Sequence, residues 1–527
     1  MRQVLPSSRT ENASSDTRVA PIRGWNAKDP IANMAEGYAV YMDNFFPTSS
    51  DVRVRKGRET FATLPTATAA GEIRALMEYN NEDGTIKAFA ATPAGIYNIT
   101  AGGTISSVDS AATSAEWQHV NMSTAGGTFL WCCNGVDKAR YYNGSTWTVL
   151  DGLSTPALTG ITSTNVVNVT VHKRRLFLCE KNSLSFWYLP VDSVAGLAVE
   201  FPLGSVFKEG GYLMAIGSWT LDGGTGSDDY CVFVSSKGEV AIYLGIDPAS
   251  AATWELKGTF FIGKPLSRRC IIKLGSDIGL LTVQGLLPLS QALAFSDRNP
   301  KQIPISDTIA EAWTDYTTQF SSLYGWQTVI FPEEDALVVN VPVVYKASAP
   351  YVSYSYQFVM NLTTKAWTRF LGWDAQVLAT VNGQLYGANK NKVYRLWVGD
   401  SDDGKAIDAR VKTAFFYPKG RSRTSQVTLL RHILNTSSDL NIMLGVDTDY
   451  ENSSFGTSFV SIGYGGALWD SARWDEARWS RSDVDRRWRT VSHEPGKAIS
   501  LRLRVILKEV SMSWNATDMI VKKGTYR

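Results

Sequence analysis

The stretch from Gly127 to Leu150 reads GTFLWCC, NG, VDKARYY, NG, STWTVL, and it contains the pattern that decides the fold. Three runs rich in aromatic and apolar residues alternate with Asn-Gly pairs at Asn134–Gly135 and Asn143–Gly144. Asn-Gly supplies the positive φ angles that two-residue hairpin turns require. The stretch therefore predicts three short antiparallel strands joined by tight turns.

The same order of strand and turn recurs between about residue 70 and about residue 400. Asp229–Gly245 reads DYCVFVS, SKG, EVAIYLG, and Val377–Asn389 reads VLATV, NG, QLYGAN. The units recur roughly every 40–50 residues, a period typical of propeller blades. A small meander of this kind cannot bury both of its faces alone, and radial stacking around an axis solves that problem. We expect an all-β fold, with a β-propeller of about six irregular blades.

Two segments depart from this pattern, and each predicts a short helix. One helix is expected from about Met34 to Met42, and the other lies near Ser306–Trp313, with Ser306 or Asp307 as its N-cap.

An acidic, Gly-containing loop at Gly399–Lys405 predicts a domain boundary. Beyond it, the segment ISLRLRVILK places Leu501, Leu503, Val505 and Leu507 on one face and Ser500, Arg502, Arg504 and Lys508 on the other. This alternation favours a half-buried sandwich strand. The predicted division is a flexible N-terminus (1–20), an irregular arm with an edge strand (21–69), a propeller (70–400) and a C-terminal β-sandwich-like platform domain (401–527).

The composition limits the function classes. The 527 residues carry a formal net charge of +2, so no strong electrostatic attraction to nucleic acid or anionic membranes is expected of the whole chain. The start has no apolar h-region, and no apolar run is long enough to span a bilayer. The five cysteines lie in apolar runs without CxxC spacing and are interpreted as core residues.

No motif predicts a cofactor, a metal site or a catalytic centre. Gly258–Pro265 approaches a P-loop but has Pro265 where Ser or Thr should bind magnesium, which favours a strand. The four histidines lack metal-ligand spacing, and Asp447–Asn452 lacks the central Gly of a calcium loop. There is no GxSxG elbow, and no carboxylate pair stands out for glycoside hydrolysis. We therefore expect a protein that is not an enzyme.

Two segments are candidate interaction surfaces. The basic turn with Lys419, Arg421 and Arg423 is interpreted as a solvated hairpin tip or as a phosphate contact. The other segment is a ladder of tryptophans at intervals of five, interpreted as an internal aromatic cluster or as an interface with another subunit or partner. Its candidate interface residues are Trp469, Arg473, Trp474, Arg478 and Trp479.

Two stretches resemble tail proteins of short-tailed bacteriophages. The first stretch is the arm. The second is the Trp ladder followed by the alternating ISLRLR strand. The arm pattern consists of Pro21, Gly24, Asn26, Asp29 and Pro30, then Ala39, Asn44, Phe45, Phe46 and Pro47, then Arg55 and Gly57. With the propeller-like meanders between them, these stretches resemble the nozzle, or tail hub, family of podoviruses.

This resemblance implies a function and a set of partners. A nozzle protein forms a hexamer below a tail adaptor protein, beside tail fibres or spikes, and faces the host outer surface. It is made in the host cytoplasm, becomes part of the virion tail, and retains and then conducts double-stranded DNA without sequence specificity. Candidate channel or gate loops are Pro332, Glu333, Glu334 and Asp335, then Lys346 to Tyr351, and the basic turn at Lys419, Arg421 and Arg423.

Two alternatives stay open at this point. One is a carbohydrate- or receptor-binding propeller of a virion, with aromatic side chains forming sugar platforms. The other is a polysaccharide depolymerase of a tail spike. The hairpin turns favour a propeller over the parallel β-helix typical of such spikes.

Overall fold

A computed structural model describes residues 13–65, 71–222, 227–294, 303–345, 353–418, 420–453, 460–462, 483–485, 488–491 and 493–523. The contacts divide the chain into two compact units. The first contains residues 1–58, 359–371 and 397–527, and the second contains residues 59–358 and 372–396. The second unit is therefore inserted into the first along the chain.

The inserted unit consists of small antiparallel sheets that follow one another in sequence, as the strand and turn pattern predicts. The described residues form seven such groups of consecutive strands, which we call blades 1 to 7; the strands of blade 6 are part of a nine-stranded sheet, and the other six groups lie in separate sheets. Blade 1 contains Ala75–Asn80, Ile86–Thr92, Gly95–Asn98 and Ser110–Ala111. Blade 2 contains Gln118–Thr124, Gly127–Cys133, Arg140–Tyr142 and Trp147–Val149. Blade 3 contains Val166–His172, Arg175–Glu180, Ser185–Tyr188 and Val199–Pro202.

The remaining blades are more irregular. Blade 4 contains Leu213–Asp222, Ser227–Ser235, Glu239–Gly245 and Trp254–Phe261, and blade 5 contains Ile271–Leu274, Asp277–Thr282 and Gly285–Pro288. Blade 6 contains Gln327–Phe331, Ala336–Tyr345 and Ser353–Asn361. Blade 7 contains Val377–Val381, Gln384–Asn389, Lys392–Leu396 and Arg58–Thr63. Short pairs add Gly103–Thr104 beside Arg58–Thr63, and Leu158–Thr159 beside Gly196–Leu197.

The blades form a closed ring. The first strand of each blade contacts the first strand of the next, and that of blade 7 contacts that of blade 1. Arg58–Thr63, from the N-terminal side, joins blade 7 as an outer strand next to Lys392–Leu396. Backbone hydrogen bonding therefore links the two ends of the inserted chain and leaves no open first or last blade. The fold is a β-propeller of seven blades, where the sequence predicted about six.

The core lies between neighbouring blades, because successive side chains of a strand point to opposite faces. Leu130 and Cys132 pack towards blade 1 in a cluster with Phe89, whereas Trp131 and Cys133 pack towards blade 3. Each fully buried side chain of this size contributes about 1.5–3 kcal/mol. All five cysteines are buried and unpaired, as their apolar surroundings predict.

Helices are few in the described chain. The predicted helix near Ser306 is confirmed as a 3-10 turn, Asp307–Ile309, that continues into Ala310–Phe320. Ser306 does not cap it; its Oγ accepts a hydrogen bond from Leu286 N at 3.1 Å. The others are Leu289–Ala294 and the 3-10 turns Ser163–Asn165 and Pro332–Glu334. No helix in the described ranges has the length and hydropathy to cross a bilayer.

The first unit is a β-sandwich of two sheets. A cluster of buried side chains from both sheets forms its core, including Leu430, Val446 and Met519. In one sheet, the ordered path is Phe45–Pro47, Val52–Val54, Met512–Lys523, Ser425–Thr436 and Asp483–Asp485, with Ala13–Val19 beside Met512–Lys523 and Arg489–Thr490 beside Ser425–Thr436. The other consists of six consecutive strands of the nine-stranded sheet, in the order Trp367–Leu371, Ala39–Asp43, Ile407–Thr413, Ile499–Leu507, Leu440–Thr448 and Val460–Ile462.

The N-terminal region differs from its prediction. Ala13–Val19, expected to be flexible, forms a strand because it pairs along its whole length with Met512–Lys523. The helix expected at Met34–Met42 is wrong: Ala39–Asp43 is a strand that pairs with Ile407–Thr413. The arm up to residue 58 thus belongs to the same unit as the C-terminal strands, where the sequence suggested separate regions.

The face of Ile499–Leu507 expected to meet solvent is partly buried. Ser500 is fully buried and Arg502 is 6% exposed. The strand is central in its sheet, and Asp447 on the neighbouring strand accepts an ion pair from Arg502 Nε at 2.9 Å and another from Lys412 Nζ at 2.7 Å. Asp447 is therefore a buried counter-ion.

Candidate functional site: the axial cavity of the propeller

One end of the propeller ring encloses a cavity of about 440 Å³. Its lining includes the first or second residue of several inner strands: Gln118, Val167, Met214 and Gln327. The cavity therefore lies where the inner strands begin, around the propeller axis. We call it the axial cavity. Several blades contribute to it, so its shape depends on closure of the whole ring.

Two consecutive arginines enter the axial cavity just before the inner strand of blade 5. Arg269 donates from Nη1 to Gln327 Oε1 at 2.8 Å and from Nη2 to Trp117 O at 2.9 Å. These acceptors belong to blade 6 and to the segment that enters blade 2. The guanidinium carbon also lies 5.7 Å from the ring centroid of Tyr324. Nη2 also lies 3.4 Å from Arg74 O, just before blade 1, so three separate parts of the ring hold Arg269.

Arg268 is held more loosely. Its Nη1 donates to Met214 O at 3.1 Å and lies 3.4 Å from Leu213 O. Its guanidinium carbon is 5.6 Å from the ring centroid of Tyr212. Both arginines are half-buried, and within the described chain neither Arg268 nor Arg269 forms an ion pair with a carboxylate.

The one carboxylate in the described lining is already paired. Glu116 Oε1 lies 2.7 Å from Arg74 Nη1, and both side chains are about two-fifths exposed. Tyr324 donates its hydroxyl to Arg74 O at 2.6 Å, and burial raises the pKa of Tyr324 above its ordinary value. The charge of the lining is therefore positive, because Arg268 and Arg269 are not neutralised by a protein carboxylate.

His119 lies beside this site on the first strand of blade 2. Burial, and secondly the positive charge of Arg269, lower the pKa of His119 to about 4. The imidazole is neutral at neutral pH, so it adds no further positive charge near the cavity.

The axial cavity can bind a small polar ligand. Its volume falls in the range of ordinary ligand sites, and it combines aromatic faces with a few directed polar groups. Sequence reasoning missed it. The available signal was the Arg268–Arg269 pair in a connection between blades, but its significance depends on knowing which connections meet at the axis.

The residues selected from the sequence lie elsewhere. Pro332, Glu333 and Glu334 form a 3-10 turn, and Asp335 follows at φ 50°. This turn ends the inner strand of blade 6 that begins at Gln327, so it lies at the other end of that strand from the axial cavity. Glu333 accepts a hydrogen bond from Gln384 Nε2 at 3.1 Å.

The basic turn belongs to the sandwich unit. The guanidinium carbon of Arg421 lies 4.8 Å from the ring centroid of Tyr417, and Arg423 is nearby in the same turn. The other selected residues are outside the described ranges: Lys346, Tyr351, Lys419, Trp469, Arg473, Trp474, Arg478 and Trp479.

Other motifs have structural roles. Gly258 lies within strand Trp254–Phe261, as expected from its bulky neighbours. His172 is buried between Ser218 Oγ at 3.0 Å and Gly245 O at 3.2 Å, which agrees with a structural histidine. The described residues contain no cluster of His, Cys, Asp and Glu able to hold a metal ion.

The fold and the site define a β-propeller with an axial cavity, joined to a β-sandwich. No family model and no curated protein matches the chain. Among solved structures, an exo-β-1,3-galactanase from Phanerochaete chrysosporium is 7% identical, covers 78% of this chain and 97% of its own, and has a TM-score of 0.25. An arabinoxylan arabinofuranohydrolase of glycoside hydrolase family 43 from Bacillus subtilis is 11% identical, covers 89% of this chain and 96% of its own, and has a TM-score of 0.25. A protein from Bacteroides fragilis described as a 6-phosphogluconolactonase is 12% identical, covers 66% of this chain and 92% of its own, and has a TM-score of 0.31.

The expectation that the chain is not an enzyme is corrected by this comparison. Two of these similar structures are glycoside hydrolases, so the chain is not assigned to the non-enzymatic proteins. At TM-scores of 0.25 the same likenesses do not assign it an activity.

Proposed function

We propose that this protein is a carbohydrate-binding β-propeller whose saccharide site is the axial cavity. The observation that carries the proposal is the lining of that cavity, where the rings of Tyr212 and Tyr324 lie among the polar side chains of Gln118 and Asn134. A sugar has apolar C–H faces and polar hydroxyl groups. Aromatic faces with a few directed amide groups suit both features.

The closed ring makes the cavity a rigid site. Tyr324 is fixed through its hydroxyl, and the neighbouring Gln376 Nε2 donates to Tyr324 O at 2.7 Å. A site whose side chains are already held in place loses little conformational entropy when a ligand binds.

Glycan binding to the full chain tests the proposal. The purified protein would be applied to a glycan array, and the affinity for each bound glycan would be measured by calorimetry. Gln118→Ala removes a lining amide and should weaken binding about 3- to 10-fold, the value of one ordinary hydrogen bond.

Gln384→Ala is the matched control, because Gln384 lies on blade 7 and contacts Glu333 outside the axial cavity. We expect it to bind as the unchanged protein does. Equal losses in both variants, or binding to no glycan, would contradict the proposal. Measuring released reducing sugar in the same samples tests whether a bound glycan is also hydrolysed.

As a second candidate, we propose that the protein is a structural component of a short phage tail. It would form a hexamer in the virion tail, contact the adaptor protein, the fibres or spikes and the host surface, and conduct double-stranded DNA. This proposal rests on the arm pattern, whose residues have specific roles in the sandwich unit. Asn44 has φ 59°, Arg55 is buried in an ion pair with Asp402, and a Cβ atom on Gly57 would lie 1.8 Å from Ser401 O.

These roles favour a pattern that maintains the structure of the unit, because backbone shape and buried charge restrict which residues these positions accept. Electron microscopy of the purified protein and of its parent particle tests the second candidate. A sixfold ring at a tail tip is the expected result, and a monomer found in no particle would contradict it. Deleting Lys346–Tyr351 should then leave assembly intact but release packaged DNA.

A further inference from the structure

The charge of the axial cavity points to a narrower class of ligand. We propose that Arg268 and Arg269 select a saccharide that bears a carboxylate group. This inference rests on the proposed carbohydrate-binding function and adds the chemical class of the ligand.

The first step is the balance of charge. The described lining contains two guanidinium groups and one carboxylate, Glu116, which Arg74 already neutralises. The acceptors of Arg268 and Arg269 are backbone carbonyls and the amide of Gln327, all of them uncharged. Two positive charges therefore lie side by side in a concave site without a protein counter-ion, where they attract an anion.

The second step is the direction of the remaining donors. A guanidinium group has five N–H donors in one plane. The bonds from Arg268 leave its Nε and Nη2 without an acceptor in the described chain. None of these atoms is fully enclosed by protein. They can donate to a ligand, and a planar fork matches a carboxylate in two parallel hydrogen bonds.

The third step is pre-organisation. Arg269 is anchored to Trp117 and Gln327, and Tyr212 and Tyr324 lie against the two guanidinium groups. These contacts hold the charges near the axis before a ligand arrives. Tyr212 and Tyr324 also line the cavity, so the residues that orient the cations lie where the ligand would bind.

The test compares acidic oligosaccharides with neutral forms of the same skeleton. Oligogalacturonate and hyaluronan hexasaccharide would be titrated into the full chain, each beside its methyl-esterified or carboxyl-reduced form. We expect the acidic form to bind about 10- to 100-fold more tightly, as charge-assisted hydrogen bonds do, and to lose most of that advantage at 1 M salt.

Variants separate charge from geometry. Arg268→Ala should abolish most of the preference, and Arg268→Lys should restore only part of it, since lysine keeps the charge without the planar fork. Lys273→Ala is the control, because Lys273 is an exposed cation near the other end of the inner strand of blade 5. Thermal unfolding of each variant shows whether the fold is retained.

The outcomes distinguish the two proposals. Equal affinity for acidic and neutral forms would overturn the carboxylate preference and leave carbohydrate binding intact. Inorganic sulfate that binds in an Arg268-dependent manner, with no saccharide bound, would contradict the saccharide ligand while supporting the anion site. Binding of neither sulfate nor saccharide would overturn both.

Discussion

Arg55 gives the sharpest test of what holds the sandwich unit together. Its side chain is 0% exposed, and its two terminal nitrogens lie 2.8 and 2.6 Å from the two carboxylate oxygens of Asp402. Nε donates to Asn44 Oδ1 at 2.9 Å, and the terminal nitrogens also donate to Lys56 O and Leu371 O. Every part of the guanidinium group therefore has an acceptor within one buried site.

Replacing Arg55 with methionine removes the cation and leaves the carboxylate of Asp402 buried without its partner. Breaking one side of a buried ion pair costs about 3–5 kcal/mol. Arg55→Met should lower the free energy of unfolding by that amount, and Asp402→Asn should have a similar effect. The double variant should lose less than the sum by about 2 kcal/mol, because each single change already breaks the shared interaction.

Urea unfolding followed by tryptophan fluorescence measures these differences. The neighbouring pair provides the control, because Lys56 Nζ lies 2.8 Å from Asp400 Oδ1 but the two side chains are 42% and 28% exposed. Lys56→Met should cost less than about 1 kcal/mol. If Arg55→Met and Lys56→Met reduce stability equally, or if the Arg55 and Asp402 effects are simply additive, the reasoning is refuted.

Three further predictions concern close packing, pH and thiol chemistry. Gly57→Ala should destabilise the protein by about 3 kcal/mol in urea unfolding, because the added Cβ would lie 1.8 Å from the backbone oxygen of Ser401; an effect below about 1 kcal/mol would contradict this. Burial, and secondly Arg489, lower the pKa of His432 from 6.5 to about 3, so the unfolded chain binds a proton that the folded chain does not, and stability should fall as pH falls from 6.5 to about 3. His432→Gln should flatten that dependence in unfolding measured at several pH values, and an unchanged slope would refute the assignment. Burial raises the pKa of Cys270 to about 12, so its thiol should not react with Ellman's reagent in the native protein but should react in denaturant, and rapid native labelling would be the contrary result.

Turn residues show how much of the propeller can be predicted locally. Asn382 and Gly383 were expected to form a two-residue hairpin turn, and they do, with φ angles of 48° and 75°. At Asn134–Gly135 the glycine has φ 73°, but the connection extends to Ala139. There the Asn134 side chain accepts hydrogen bonds from two backbone N–H groups farther along the loop, which stabilises a wider turn.

Features that depend on distant pairing were not predictable in the same way. Ala39–Asp43 becomes a strand because Ile407–Thr413 provides its partner. The axial site has the same origin, since Arg269 meets Trp117 and Gln327, which are 152 and 58 residues away in sequence. Local pattern determines that blades form, and ring closure determines which of their connections face one another.

The two chain segments that flank the inserted propeller in sequence are hydrogen-bonded to each other within the sandwich unit. Gly57, the last residue but one before the insertion, donates to Gly399 O at 3.0 Å and accepts from Val398 N at 3.2 Å, just after the chain returns. Arg55 and Asp402 flank these bonds on either side, so a buried ion pair fixes two points separated by the whole propeller in sequence.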